Sequence, residues 1–184
     1  RADRQPEFTQ VDIEMSFITE TDIIGLLEDY VKGLYAENLS EGIRTPFLQL
    51  TWKEAMETYG SDKPDLRIPM SICNLDPVFE KADFEPFRKI LAEGGTVRGL
   101  RVPGGAAFSR KDLSDLEERA KGLGAKGLAA FQAKAGELKG PLVKTLDEGG
   151  RQLLCESSGL GDGDALFVAA GEWVSTCSML GTLR

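Results

Sequence analysis

With 184 residues, 41% of them hydrophobic, the chain can bury a core as one large domain or two small ones, and no run of about 18 apolar residues offers a membrane span. It contains no histidine, which excludes an imidazole base or a Ser-His pair, and its three widely spaced cysteines, Cys73, Cys155 and Cys177, lack the pattern of a disulfide framework or zinc site and read as buried free thiols. The net charge of −8 sits wholly in residues 1–77, with 15 acids against 7 bases, while residues 78–184 carry 15 of each; this predicts two units of different character, neither of them a basic nucleic-acid module.

Along the chain, residues 1–7 read as a charged loop, with Pro6 placed where a strand entry tolerates a missing N–H. From Phe8 to Phe17 polar and apolar residues alternate. An extended segment would show Phe8, Gln10, Asp12, Glu14 and Ser16 on one face, and Thr9, Val11, Ile13, Met15 and Phe17 on the other. The second set predicts a core-facing side; the first either meets water or carries chemistry. Thr19 or Thr21 can cap a helix reaching about Asn38, whose Ile23, Ile24, Leu27, Tyr30, Val31, Leu34 and Tyr35 repeat at helical spacing and are expected to pack into a core.

Thr51 and Glu54 have the spacing of a capping box, predicting a short helix that stops near Tyr59 and Gly60. "YGSDKPDLRIPM" is turn chemistry, with Pro64, Pro69 and Pro77 forbidding a regular helix, and a domain boundary is placed near Pro77. Beyond it, "TVRGLRVPGG" predicts a strand ending in a Pro-Gly-Gly turn. Ser109 and Asp112 predict a capped helix, and "GLAAFQA" and "DALFVAAG" predict strands. "GPLVKTLDEGGRQLLCESSG" suggests helical pieces interrupted by Gly149 and Gly150, and "EWVSTCSMLGTLR" a final helix. The expected class is α+β, a small layer with helices covering one sheet face.

Some motifs have a plain structural reading. "VPGGAAFSRK" sets two glycines and a helix start beside Arg110 and Lys111, which suits a phosphate, but a tight turn and N-cap account for it. "GDGDALF" is read as a turn before a strand rather than a metal loop, Lys63 as part of a salt-bridged turn, and Trp52 and Trp173 as packing residues.

The string "RADRQPEFTQVDIEMSF" closely resembles the second half of motif 2 in bacterial-type aspartyl-tRNA synthetases, class II aminoacyl-tRNA ligases, and "YGSDKPDLR" resembles that family's lead into an inserted domain. "LRVPGGAAFSRK", "GAKGLAAFQAK", "GPLVKTL" and "GDGDALFVAAGEWVSTCSMLGTLR" resemble the insertion itself, the GAD domain, which is shared with an archaeal tRNA-dependent amidotransferase subunit. The resemblance implies a fold in parts: residues 1–77 as a piece of the antiparallel-sheet catalytic core, 78–172 as a small two-layer inserted GAD domain, and 173–184 as a helix returning toward the core. It implies ATP-dependent activation of L-aspartate and transfer to tRNA, in a fragment lacking motif 1, the first strand of motif 2 and motif 3, and so without catalytic residues of its own or activity alone.

By the same resemblance Gln5 and Phe8 lie against ATP, the phenylalanine stacking on adenine, and Gln10 and Asp12 face the aspartate pocket, where a carboxylate can pair with the substrate ammonium. Glu14 is assigned to a supporting polar network. Arg1, Asp3, Arg4 and Glu7 fall in the loop that meets the tRNA acceptor end; a solvated charged loop is the plain alternative. Mg2+ accompanies ATP in the complete enzyme, which is expected to be a cytoplasmic homodimer without membrane contact, and no metal ligand is assigned in this chain. The competing reading is a non-catalytic GAD binding module, such as part of an amidotransferase subunit; another is a soluble domain whose polar strand face meets water.

Overall fold

The computed structural model describes residues 7–39 and 42–184. The chain divides into two units, Arg1–Gln49 and Leu50–Arg184; the boundary expected at Pro77 falls inside the second.

Among the described residues of the first unit the one regular element is α1, Glu20–Leu39. The amide and the hydroxyl of Thr19 both donate to Asp22 Oδ2 at 2.8 Å, which starts the helix and holds the Asp22 carboxyl below its ordinary range. The Phe47 amide donates to Glu28 Oε1 at 2.7 Å and ties the following loop to the helix. Two expectations are corrected here. No residue of α1 is buried, so its apolar stripe is not packed into a core. Residues 8–17 form no strand: positions 7–15 are neither helix nor strand, and the chain bends at Ser16 and Phe17, where Phe17 takes the left-handed φ of 59°. Val11, Ile13, Met15 and Phe17, expected on a core face, are all exposed. Alternation specifies which side chains share a face, but only a hydrogen-bonded neighbour makes a strand, and among the described residues none pairs with this segment.

The second unit opens with α2, Trp52–Tyr59, through the expected capping box: the Glu54 amide donates to Thr51 Oγ1 at 3.2 Å and the Thr51 amide to Glu54 Oε2 at 2.8 Å. Gly60 ends it at φ 68°, where a Cβ would run into the Cys177 carbonyl. After the proline-rich turns come β1 (Ile72–Asn74), α3 (Asp76–Phe79), α4 (Glu85–Ala92), β2 (Thr96–Val102) and α5 (Arg110–Gly122), the last with the predicted Ser109–Asp112 box. β3 (Ala129–Lys134) and β4 (Glu137–Lys139) form a hairpin. α6 (Glu148–Ser158), β5 (Ala165–Gly171) and α7 (Trp173–Leu183) follow. Gly149 and Gly150 do not interrupt α6, contrary to expectation. They occupy its first turn, where the Gly150 amide donates to the Asp147 cap at 2.7 Å.

The five strands form one sheet in the order β1-β2-β5-β3-β4, antiparallel throughout, with Gly99 opposite Val168 and Leu100 opposite Phe167. The α+β class is as expected, but helices cover both sheet faces where one was expected. Val97, Phe131, Leu166 and Val168 face a core closed by Val78 and Phe79 of α3 and Leu154 of α6. Their neighbours Leu100, Phe167 and Ala169 face a second core under Ala120 of α5 and Met179 and Leu180 of α7. The central strand β5 is therefore apolar on both sides, and each fully buried Leu or Phe contributes roughly 1.5–3 kcal/mol through removal from water.

Candidate functional site

Of the residues assigned by resemblance, Arg1, Asp3, Arg4 and Gln5 lie outside the described residues. Glu7, Phe8, Gln10, Asp12 and Glu14 lie in the segment without regular structure, and all are exposed, Phe8 by 72%. The strand that would hold Phe8, Gln10 and Asp12 on one face is not formed. No group of three or more Asp, Glu, Cys or His side chains converges among the described residues, so no ligand set for Mg2+ is assigned.

The motifs read as structural behave so. The Gly104 amide donates to Asp164 Oδ1 at 3.0 Å and a Cβ on Gly105 would lie 2.7 Å from that of Ala165, so the Pro-Gly-Gly turn is locked to the start of β5 and its first amide is spent. The other oxygen of Asp164 accepts from Arg101 Nη1 and the Gly161 amide, both at 3.3 Å, and Asp162 caps the Gly136 amide, which accounts for the acids of "GDGD". Lys63 pairs with Asp62 at 2.9 Å in solvent. The "SDKPDLR" turn is held by Arg184, which donates to the carbonyls of Asp65, Ile68 and Met70 at 2.6–3.0 Å and lies 4.8 Å from the centre of the Tyr59 ring. Arg67 donates to Asp65 and holds that carboxyl at about 2. Burial pushes the Cys73 and Cys177 thiols up to about 11, which leaves them protonated and unreactive as nucleophiles at neutral pH.

One cluster went unread in the sequence. Trp52 and Trp173, the first residues of α2 and α7, meet edge to face at a centroid distance of 5.6 Å, yet Trp52 stays 56% exposed. With Lys53, Glu57 and Arg98 they line a depression of about 570 Å³. Arg98 is only 8% exposed although it stands on β2 beside Leu100. The available signal was a charge inside the apolar run "TVRGLRV", at the parity of inward-facing residues.

An antiparallel sheet with helices on both faces defines an α+β domain. Residues 87–180 match the family model of the GAD domain, and the chain belongs to that family. Over all 184 residues it is 44% identical to a Clostridium perfringens protein named aspartate–tRNA ligase and 40% identical to an Opitutus terrae protein named aspartate–tRNA(Asp/Asn) ligase. A Bacillus subtilis protein of the latter name is 40% identical over 185 aligned residues. The chain spans 31% of the length of each of these relatives. Among the described residues no helix is long and apolar enough to cross a membrane.

Proposed function

We propose that these residues work as part of an aspartate–tRNA ligase, which joins the L-aspartate carboxylate to ATP's α-phosphate with release of pyrophosphate and then passes the acyl group to a ribose hydroxyl at the tRNA acceptor end with release of AMP. The observation that carries this reading is the extent of the similarity. It covers the whole chain, including residues 1–86 ahead of the GAD segment, which a GAD binding module has no need to keep. Residues 1–77 then belong to the catalytic core, 78–172 to the insertion, and 173–184 to the return. Phe8 offers a flat face to adenine beside Gln5, Gln10 and Asp12 face the aspartate pocket with the Asp12 carboxylate pairing with the substrate ammonium, and Arg1, Asp3, Arg4 and Glu7 meet the acceptor end. Such chemistry needs positioning and charge neutralisation rather than a protein nucleophile, consistent with a chain devoid of histidine. Cytoplasmic location and a homodimer belong to the same reading.

The test grafts these 184 residues in place of the aligned segment of the Bacillus subtilis relative and measures aspartate-dependent ATP–pyrophosphate exchange. Exchange is expected to persist in the graft and to fall by about a hundredfold or more with Asp12→Ala, which removes a charge-assisted contact to the substrate. Wild-type exchange by the Asp12→Ala graft would remove that residue from the pocket. A graft that folds but shows no exchange would favour the binding-module reading.

A further inference from the structure

We propose that the depression between Trp52 and Trp173 is a nucleotide site, with a phosphate held by Arg98 and Lys53 and an amine-bearing base laid on the exposed Trp52 ring. The inference does not depend on the roles given to residues 1–14. Its core is Arg98, whose side chain is nine-tenths buried and whose Nε–H has no hydrogen-bond acceptor among the described residues. The nearest carboxylate oxygen, Asp76 Oδ2, lies 4.0 Å from Nη2, and the Asp76 oxygens already accept from Thr96 Oγ1 at 2.9 and 3.1 Å and from the Val97 amide at 2.6 Å. A buried cation with so little compensation is costly, and an oxyanion meeting the tenth of the side chain that still opens onto the depression supplies the counter-charge that Asp76 gives only in part, while Nε itself stays out of a ligand's reach.

The surroundings specify the ligand further. Lys53 adds a second, exposed positive charge on the rim. The helix N-termini on which the tryptophans stand are already capped, by Thr51 and Glu172, so the attraction comes from the two cations and not from helix ends. Trp52 presents a ring that is more than half exposed, a stacking surface suited to a base. Glu57, half-buried on the same lining, would repel a bare phosphate but accepts a hydrogen bond from an exocyclic amine, which favours adenine, guanine or cytosine over uracil.

The two tryptophans are the only ones in the chain, so its indole emission reports this place alone. Titration with AMP at low salt, exciting the tryptophans and correcting for absorbance, is expected to give saturable quenching that salt weakens. UMP and inorganic phosphate should bind more weakly. Arg98→Met, which removes the buried charge at similar volume, should fold with an unchanged or higher melting temperature and bind AMP about tenfold or more weakly, and Lys53→Gln, on the surface, should weaken it less. A short oligoadenylate binding more tightly than AMP identifies a single-stranded nucleic acid as the source; equal binding identifies the free nucleotide. No saturable change up to millimolar AMP, wild-type affinity in both variants, or UMP binding as tightly as AMP would overturn the proposal.

Discussion

Helices α1 and α7 carry comparable runs of apolar residues and use them differently. In α1, Leu27, Tyr30, Leu34 and Tyr35 all stand exposed; in α7, Cys177 is buried, and Met179 and Leu180 are buried against the sheet face that holds Leu100 and Phe167. The same contrast separates residues 8–17 from β2. Both are patterned for a strand, but β2 has β1 on one side and β5 on the other, while the opening segment has no neighbour among the described residues. Periodicity therefore states which residues could be buried together, and burial follows only where another element presents a matching face.

The largest expected effects test that contrast directly. Phe131→Ala opens a cavity in a fully buried position and should cost about 3–5 kcal/mol by urea unfolding. Gly60→Ala, which forces a Cβ against the Cys177 carbonyl at a left-handed φ, should also destabilise strongly. Leu34→Ala on α1 should change stability by no more than about 0.5 kcal/mol, as surface substitutions do. Equal losses for Phe131 and Leu34 would break the comparison. A middle effect is expected at Asp164, where alanine strands the Gly104 amide and leaves Arg101 Nη1 with the Gly159 carbonyl as its acceptor, at a cost of about 1–3 kcal/mol with selective broadening around the 103–105 turn in amide spectra.

Thiol chemistry sharpens the same distinction within the second unit. Near pH 8 a disulfide reagent should modify Cys155 first, since burial raises its pKa less than those of Cys73 and Cys177, and the latter two should react only as the protein unfolds. The smallest effect is expected from acid. Asp65 is depressed from 3.8 to about 2 in the folded chain, so its contribution is present above pH 3.8 and is lost as pH falls toward 2. Because the group is exposed, screening by solvent keeps the effect slight. Thermal melts should therefore drop a little less over that interval in Asp65→Asn than in the parent, and an identical slope would show that the Arg67 pair contributes nothing.

Local chemistry specifies much of this structure without reference to any long-range contact. Thr51 with Glu54, Ser109 with Asp112, and Gly60 each act across three or four residues, so the ends of α2 and α5 were readable from their letters alone. The apolar runs of β2, β3 and β5 were equally plain. Gly149 and Gly150 read as an interruption because glycine carries a real cost inside a helix, but at an N-terminus the Asp147 cap offsets it. What depended on the tertiary fold was everything requiring a partner far along the chain. Thr96 lies opposite Gly171, Ile72 finds its place only beside Leu100, and the two-sided covering of the sheet emerges when α5 and α7 settle opposite α3 and α6. Arg98 illustrates the limit most clearly: in the sequence it is one charge in a strand, and only the packing of α7 on β2, with α2 against α7 and β1, makes it a buried cation in the lining of a tryptophan-bearing hollow. Hydrogen bonds between near neighbours are specified by spacing, whereas burial is a property of surfaces that meet, and which surfaces meet is settled by the whole chain at once.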